Sequence, residues 1–208
     1  MTNAIPLLTY RHTTGWFEPE NSVIHCPSPN YDERPPNTMV DLLVIHSISL
    51  PPGEFGGSGV IDLFQNQLDC SKHPFYKAHL MNVRVSAHGF IRRDGTLIQS
   101  VSCLHRAWHS GLSQFGGRDN CNDFSIGIEL EGIDDSVEGI SPQPFMPAQY
   151  AMLVGCIKAL QPYFLGITPE HIVGHSDIAP ERKKDPGPGF DWTYFRTLLL
   201  SSLNSYSK

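Results

Sequence analysis

Between Gly174 and Pro188 the chain reads GHSDIAPERKKDPGP, which packs His175, Asp177, Glu181, Lys183, Lys184 and Asp185 among three prolines and two glycines. Proline fixes φ and disfavours helix in the residue before it, so Pro180, Pro186 and Pro188 predict a stiff, shaped loop. His175 and Asp185 stand ten positions apart and can face one point if that loop doubles back. A third donor of the same kind is His46, which ends the run Val40–His46 just where the chain turns polar. Two neutral imidazoles and a carboxylate match the three N/O ligands of a catalytic zinc that keeps a fourth position for water. Zinc brings the pKa of that water from about 15.7 to about 7. Such a centre also calls for a base to handle the water's proton and a cation for the developing oxyanion. Glu129 can serve as the first and Lys183, two residues before Asp185, as the second. Spacing alone leaves this one of many trios that ten histidines allow. A surface turn explains His175 equally well at this stage.

The elements that must position these residues are legible in outline. Val40–His46 (VDLLVIH) is a β-branched and Leu-rich run, the mark of a buried strand, and it opens into Pro51-Pro52-Gly53. Strand ends that open into loops are where α/β sheets carry their sites. Phe124–Glu131 alternates, with Phe124, Ile126, Ile128 and Leu130 on one face and Ser125, Gly127, Glu129 and Glu131 on the other. The two carboxylates need a cation opposite them, and the two small residues leave space in front. Ile172-Val173-Gly174 is a short strand that delivers His175. His88–Arg93 and Thr96–Val101 predict a hairpin, with Asp94-Gly95 as a type I′ turn. Ser58 is expected to cap a helix over Val60–Leu68, and Pro147–Phe164 to form an amphipathic helix opened by its proline. Asp191 is expected to cap a last helix, Trp192–Leu203. Residues 69–83 read as irregular, with His73 and His79 as loop histidines. Residues 1–39 read as an irregular arm in which Tyr31 and Arg34 pack. Ala107–Gly111 places Trp108, His109 and Ser110 in a loop near the strand ends.

Composition bounds the rest. The 208 residues suit one domain, and 40% hydrophobic with 17% charged residues is ordinary for a soluble globular chain. A net charge of −6 without basic runs argues against nucleic acid and against anionic membranes. Five scattered cysteines without a C-x-x-C pair suit a reducing compartment. No signal-peptide pattern and no apolar run near the ~18 residues of a transmembrane helix is present. The expectation is a cytoplasmic α/β protein: a single domain with a central mixed β-sheet flanked by helices.

Several segments together carry a more specific signal: VIHSISLPPGEFGG (44–57), RVSAH with IRRDG (84–95), RAWHSG (106–111), CNDFSIGIELEG (121–132) and GHSDIAPERKKDPGPGFDW (174–192). In that order they resemble the zinc-dependent N-acetylmuramoyl-L-alanine amidases, and among these the cytosolic 1,6-anhydro type of bacterial peptidoglycan recycling. The resemblance runs from about Pro27 to the last helix. It implies a zinc amidase catalytic domain over 27–208, and residues 1–26, outside the resemblance, are expected to form an irregular N-terminal arm. It implies one Zn²⁺ per chain on His46, His175 and Asp185, with Glu129 activating water and Lys183 stabilising the oxyanion. The implied substrate is a muropeptide, cleaved at the amide between anhydro-N-acetylmuramic acid and L-alanine. Arg84, Trp108 and Arg118 would line the sugar–peptide groove. Two positions depart from the family pattern. Ser47 stands where Asn usually follows the first ligand histidine, so a shorter hydroxyl serves one substrate hydrogen bond. Asn120 stands where close relatives carry Arg, which leaves Arg118 to face the stem peptide. The alternatives are a lytic amidase acting on intact murein and a non-catalytic peptidoglycan-recognition module. Recognition-only members lose a zinc ligand, whereas His46, His175 and Asp185 all stand here.

Overall fold

The run Leu42–Ile48 carries apolar residues at consecutive positions because the strand it forms is covered on both faces. A computed structural model describes residues 4–20, 22–133, 136 and 138–203. Its main sheet has six strands: β1 (Val23–His25), β2 (Leu42–Ile48), β3 (Gly89–Ile91), β4 (Leu97–Gln99), β5 (Ser125–Glu131) and β6 (Ile172–Gly174). Their spatial order is β6-β2-β5-β3-β4-β1. The β6, β2, β5 and β3 strands run parallel, β4 turns back against β3, and β1 lies parallel to β4. Around them lie α1 (Gly59–Phe64), α2 (Pro74–His79), α3 (Pro147–Leu160), α4 (His175–Ile178) and α5 (Trp192–Leu203). The expected mixed sheet flanked by helices is what the chain forms. No described helix is long and apolar enough to cross a membrane.

Strand parity divides the core. Leu43 and Ile45 of β2, with Ile126, Ile128 and Leu130 of β5, pack beneath α3 and α5. Leu42 and Val44 face the other way, against Phe124, Val173 and Ile178. On that second side, Phe90 and Ile98 meet Val60, Leu63, Phe64 and Tyr76 of α1 and α2. Each fully buried Leu, Ile or Phe is worth roughly 1.5–3 kcal/mol of transfer free energy, so both layers are strongly held. The parity expected for Ile126, Ile128 and Leu130 is therefore the observed one, whereas Phe124, which precedes the strand, packs on the other layer. Two registers matter below: Glu129 pairs with His46, and Gly174 pairs with Ile45.

Several local expectations change. Ser58 makes no side-chain cap; its hydroxyl donates to Asp62 Oδ2 at 2.7 Å, and the helix stops at Phe64, before the left-handed Asn66. Residues 69–83 are not irregular throughout. Pro74 opens α2, and His73 caps it by accepting the Phe75 N–H at 3.1 Å. The hairpin loop is not type I′, which needs positive φ at two successive residues. Only Gly95 is left-handed there (φ 89), and Arg92 N–H pairs with Thr96 C=O, making a three-residue loop. The helix begun at Pro147 ends at Leu160 rather than Phe164, because Pro162 can neither donate nor fit inside a helix. It is also buried nearly all round rather than amphipathic: the sheet, α5 and the segment around Pro6 cover it, and Gly155 lets Pro6 approach. The N-terminal arm is more ordered than expected, with a hairpin of Tyr10–Arg11 and Trp16–Phe17 followed by the edge strand β1. Asp191 caps α5 as expected, accepting the Tyr194 N–H at 2.8 Å. Arg34 does pack: it donates to the carbonyls of Asn122, Asp123, Cys103 and Ser125.

Glu131 ends β5 at 4% exposure and holds two loops at once. Its carboxylate accepts the Gly56 N–H at 2.6 Å and the Arg93 N–H at 3.0 Å, while the Arg92 guanidinium stands at 3.7 Å. The two short backbone contacts dominate over the longer ion pair. Removing the acceptor orphans both amides and leaves Arg92 with only its bond to Gly57 C=O, so Glu131→Ala should lower the unfolding free energy by about 3 kcal/mol in urea titration.

His88 precedes β3 and is sealed in the core. Its Nδ1 accepts the Gly127 N–H at 3.0 Å and its Nε2–H donates to His105 C=O at 3.1 Å. Burial, then the nearby Arg34 charge, pushes its pKa down from 6.5 to about 3. The unfolded chain takes up this proton below about pH 6.5 and the native state does not. Stability is therefore full above that pH and falls as pH drops toward 3, at up to ~1.4 kcal/mol per unit from this group. Urea unfolding at stepped pH should show a shallower acid slope in His88→Gln; an unchanged slope would refute the assignment.

Candidate metal centre

The parallel strands β6, β2 and β5 end side by side, and each delivers one polar residue to the same edge. His46 lies on β2, Glu129 sits beside it in register on β5, and His175 follows β6 directly as the first residue of α4. Pro180 stands two residues after Ile178, where α4 stops, and the loop folds back so that Ser176 N–H meets Asp185 C=O at 3.0 Å. That return brings the Asp185 side chain to the two histidines. The doubling-back expected of the proline-rich loop is present.

Three atoms converge. His46 Nδ1 and His175 Nδ1 lie 2.9 Å apart, and Asp185 Oδ2 is 3.1 Å from the first and 3.0 Å from the second. All three residues are buried, and among the described residues they form a group able to hold a metal ion. Burial, then the neighbouring His175, pushes His46 down from 6.5 to about 4, so its ring is neutral at pH 7. Burial opposes the Asp185 charge, yet the neighbouring His175 and His46 rings outweigh it and hold the carboxyl well below its usual range. The outcome is one negative charge facing the neutral ring of His46. Two bonds of about 2.05 Å enclosing a tetrahedral angle would set their donor atoms ~3.3 Å apart, close to the separations seen. The donor set fits zinc.

The centre floors a cavity of about 340 Å³. Glu129 and Lys183 line it with His175 and Asp185; Leu50, Leu63, Phe64, Phe75, Leu80, Val83 and Val85 form an apolar wall. Trp108 and Ser47 line it as well. Trp108 Nε1 and Ser47 Oγ are both covered, and neither makes a hydrogen bond among the described residues. The structure does not bring Arg84 or Arg118 to this cavity. Arg118 pairs with both oxygens of Asp41, at 2.8 and 3.0 Å, and stacks on Phe124 at 3.9 Å. Arg84 alternates outward between Val83 and Val85 and lines a separate small cavity with Asn66 and Asn82. The arginine at the cavity is Arg182, which donates to the carbonyls of Ser110 and Leu112 at 2.6 and 2.8 Å.

Sequence reasoning passed over His109. It is buried, its Nδ1 lies 2.9 Å from His46 Nε2, and its Nε2 lies 3.2 Å from Ser125 Oγ. Burial, then the surrounding His46 and His88, holds its pKa well below 6.5. The available signal was the pair of small residues, Ser125 and Gly127, on the Glu129 face of β5. The space they leave is filled by the His109 ring: a Cβ on Gly127 would stand 2.4 Å from its Cγ.

Comparison with known proteins agrees with this geometry. The N-acetylmuramoyl-L-alanine amidase family model matches residues 35–188. The 1,6-anhydro-N-acetylmuramyl-L-alanine amidase AmpD of Escherichia coli is 49% identical over 185 residues, which is 89% of this chain and 94% of that protein. A crystal structure of a selenomethionine AmpD derivative superposes with a TM-score of 0.80 at 47% identity, covering 89% of this chain and 97% of that one. AmpDh3 from Pseudomonas aeruginosa, solved in complex with anhydromuramic pentapeptide, gives a TM-score of 0.55 at 28% identity over 81% of this chain and 64% of that one. The chain belongs to the N-acetylmuramoyl-L-alanine amidase family.

Proposed function

We propose that this chain hydrolyses the amide between the lactyl group of 1,6-anhydro-N-acetylmuramic acid and the L-alanine of a stem peptide, as a zinc amidase of peptidoglycan recycling. The observation that carries the reading is the convergence of His46 Nδ1, His175 Nδ1 and Asp185 Oδ2 on the floor of a cavity also lined by Glu129 and Lys183. The names of the relatives supply the bond and the sugar.

His46, His175 and Asp185 would hold the ion. Bound there, zinc supplies Lewis-acid polarisation and a water whose pKa falls toward 7. Glu129, in register with His46, stands where a carboxylate can take the proton of an attacking water and return it to the departing amine. Lys183 offers an ammonium to the oxygen on which negative charge grows. The covered Trp108 N–H and Ser47 hydroxyl are poised to meet polar groups of the substrate, while the apolar wall excludes water from the reacting amide. We place the enzyme in the cytoplasm, a reading supported by five cysteines that all stand as free thiols.

The test is hydrolysis of purified anhydro-muramyl tripeptide followed by mass spectrometry. Free tripeptide should appear, cease on chelation and return with added zinc. Glu129→Ala should lower kcat by about 10²–10⁴-fold, and Lys183→Ala by about 10²–10³-fold, with zinc still bound in both. Binding without cleavage would make the chain a recognition module. Comparable cleavage of intact murein sacculi would make it a lytic amidase.

A further inference from the structure

The tautomers of the two imidazoles are dictated from outside the cluster. A carbonyl oxygen only accepts, so the His175 Nε2 that lies 3.1 Å from Ser110 C=O carries the ring proton and donates it. A neutral imidazole holds one ring proton, which leaves the His175 Nδ1 lone pair turned toward the centre. For His46 the same result takes three steps. Ser125 Oγ–H donates to Cys121 C=O, so the hydroxyl accepts from His109 Nε2–H across 3.2 Å. With its proton on Nε2, His109 presents a bare Nδ1, and His46 Nε2–H donates to it at 2.9 Å. His46 Nδ1 is thereby left without a proton, facing His175 and Asp185.

We infer that His109, set by Ser125, is a positioning residue of the metal centre: it holds His46 as the Nε2–H tautomer and aims its Nδ1 lone pair at the ion. The inference rests on the zinc-site reading above. The seat is built for a ring with this orientation. Gly127 supplies the space beneath it, since a Cβ there would overlap the imidazole. Asn122 Oδ1 fixes the backbone on either side of the ring, accepting the His109 N–H at 3.0 Å and the Ser110 N–H at 2.8 Å. The same loop offers Ser110 C=O to His175, so residues 109–110 orient both imidazoles. An outer partner that fixes tautomer and ring angle is worth one to two decades of metal affinity in known sites.

The full-length protein, stripped of metal, is titrated with zinc against a chromogenic chelator. His109→Phe keeps a ring but offers no acceptor, and should bind zinc about 10–100-fold more weakly. His109→Asn, which keeps an oxygen near the Nδ1 position, should recover most of that loss. Ser125→Ala frees the His109 tautomer and should cost a few-fold. Nitrogen-15 NMR of the parent's rings should show His109 protonated at Nε2 and bare at Nδ1. A folded His109→Phe that binds zinc within about twofold of the parent overturns the inference, and so does a His109 proton on Nδ1. If His109→Phe does not fold, the Ser125→Ala affinity and the parent's NMR decide alone. A parent that binds no zinc overturns the zinc-site reading itself and this inference with it, which separates that failure from the others.

Discussion

Three electron-pair donors within 3.1 Å of one another repel unless a cation or a proton lies between them. Everything around them works to keep them there. Parallel pairing of β6, β2 and β5 places the ends of three strands in one row, and their register, Gly174 with Ile45 and Glu129 with His46, sets the spacing along it. Because the strands are parallel, their polar ends share one edge of the sheet; an antiparallel neighbour would send its end to the opposite edge. The apolar layer under α3 and α5 makes this arrangement rigid. The free energy of that packing stabilises the crowded donors, which do not stabilise the fold by themselves.

The two glutamates of β5 show how one strand face can divide its work. Both lie on the same side of the sheet and differ only by one step along the strand. Glu131 stands where Gly56 and Arg93 present backbone amides, and its oxygens are consumed in holding the loops that border the cavity. Glu129 stands one step inward, beside His46, where the cavity opens. Chemistry and scaffolding therefore use the same residue type, and position alone assigns the role.

How much of this was legible in the sequence follows from the range of the forces involved. The buried strand that carries His46, the alternation of β5 and the return of the proline-rich loop are local patterns, set by burial and by φ restrictions, and they appear in the structure. The strand runs on to Ile48 instead of ending at His46, and Phe124 falls outside the alternation. What was hidden depends on partners distant in sequence. Arg118 reads as a free cation until Asp41, 77 residues away, accepts from its Nη2 with both carboxylate oxygens. The helix Pro147–Leu160 reads as one-sided until the segment around Pro6 covers its outer face. The α2 helix escaped notice because six residues carry little periodicity, and its cap is a histidine rather than one of the usual hydroxyl or carboxylate caps.

His109 marks the sharpest boundary between the two kinds of information. Ser125 and Gly127 announce a void on the catalytic face of β5, but nothing local says what fills it. The occupant comes from a loop whose course is set by Asn122, and its orientation is set by a carbonyl at Cys121 through the Ser125 hydroxyl. Small residues on a strand face are commonly read as room for substrate. Here the room nearest the strand belongs to a second imidazole, and the substrate space begins beyond it, between Trp108, Glu129 and Lys183. The missing Cβ of Gly127 thus connects to the ion through two rings: it permits the His109 seat, which holds His46, whose lone pair completes the donor set.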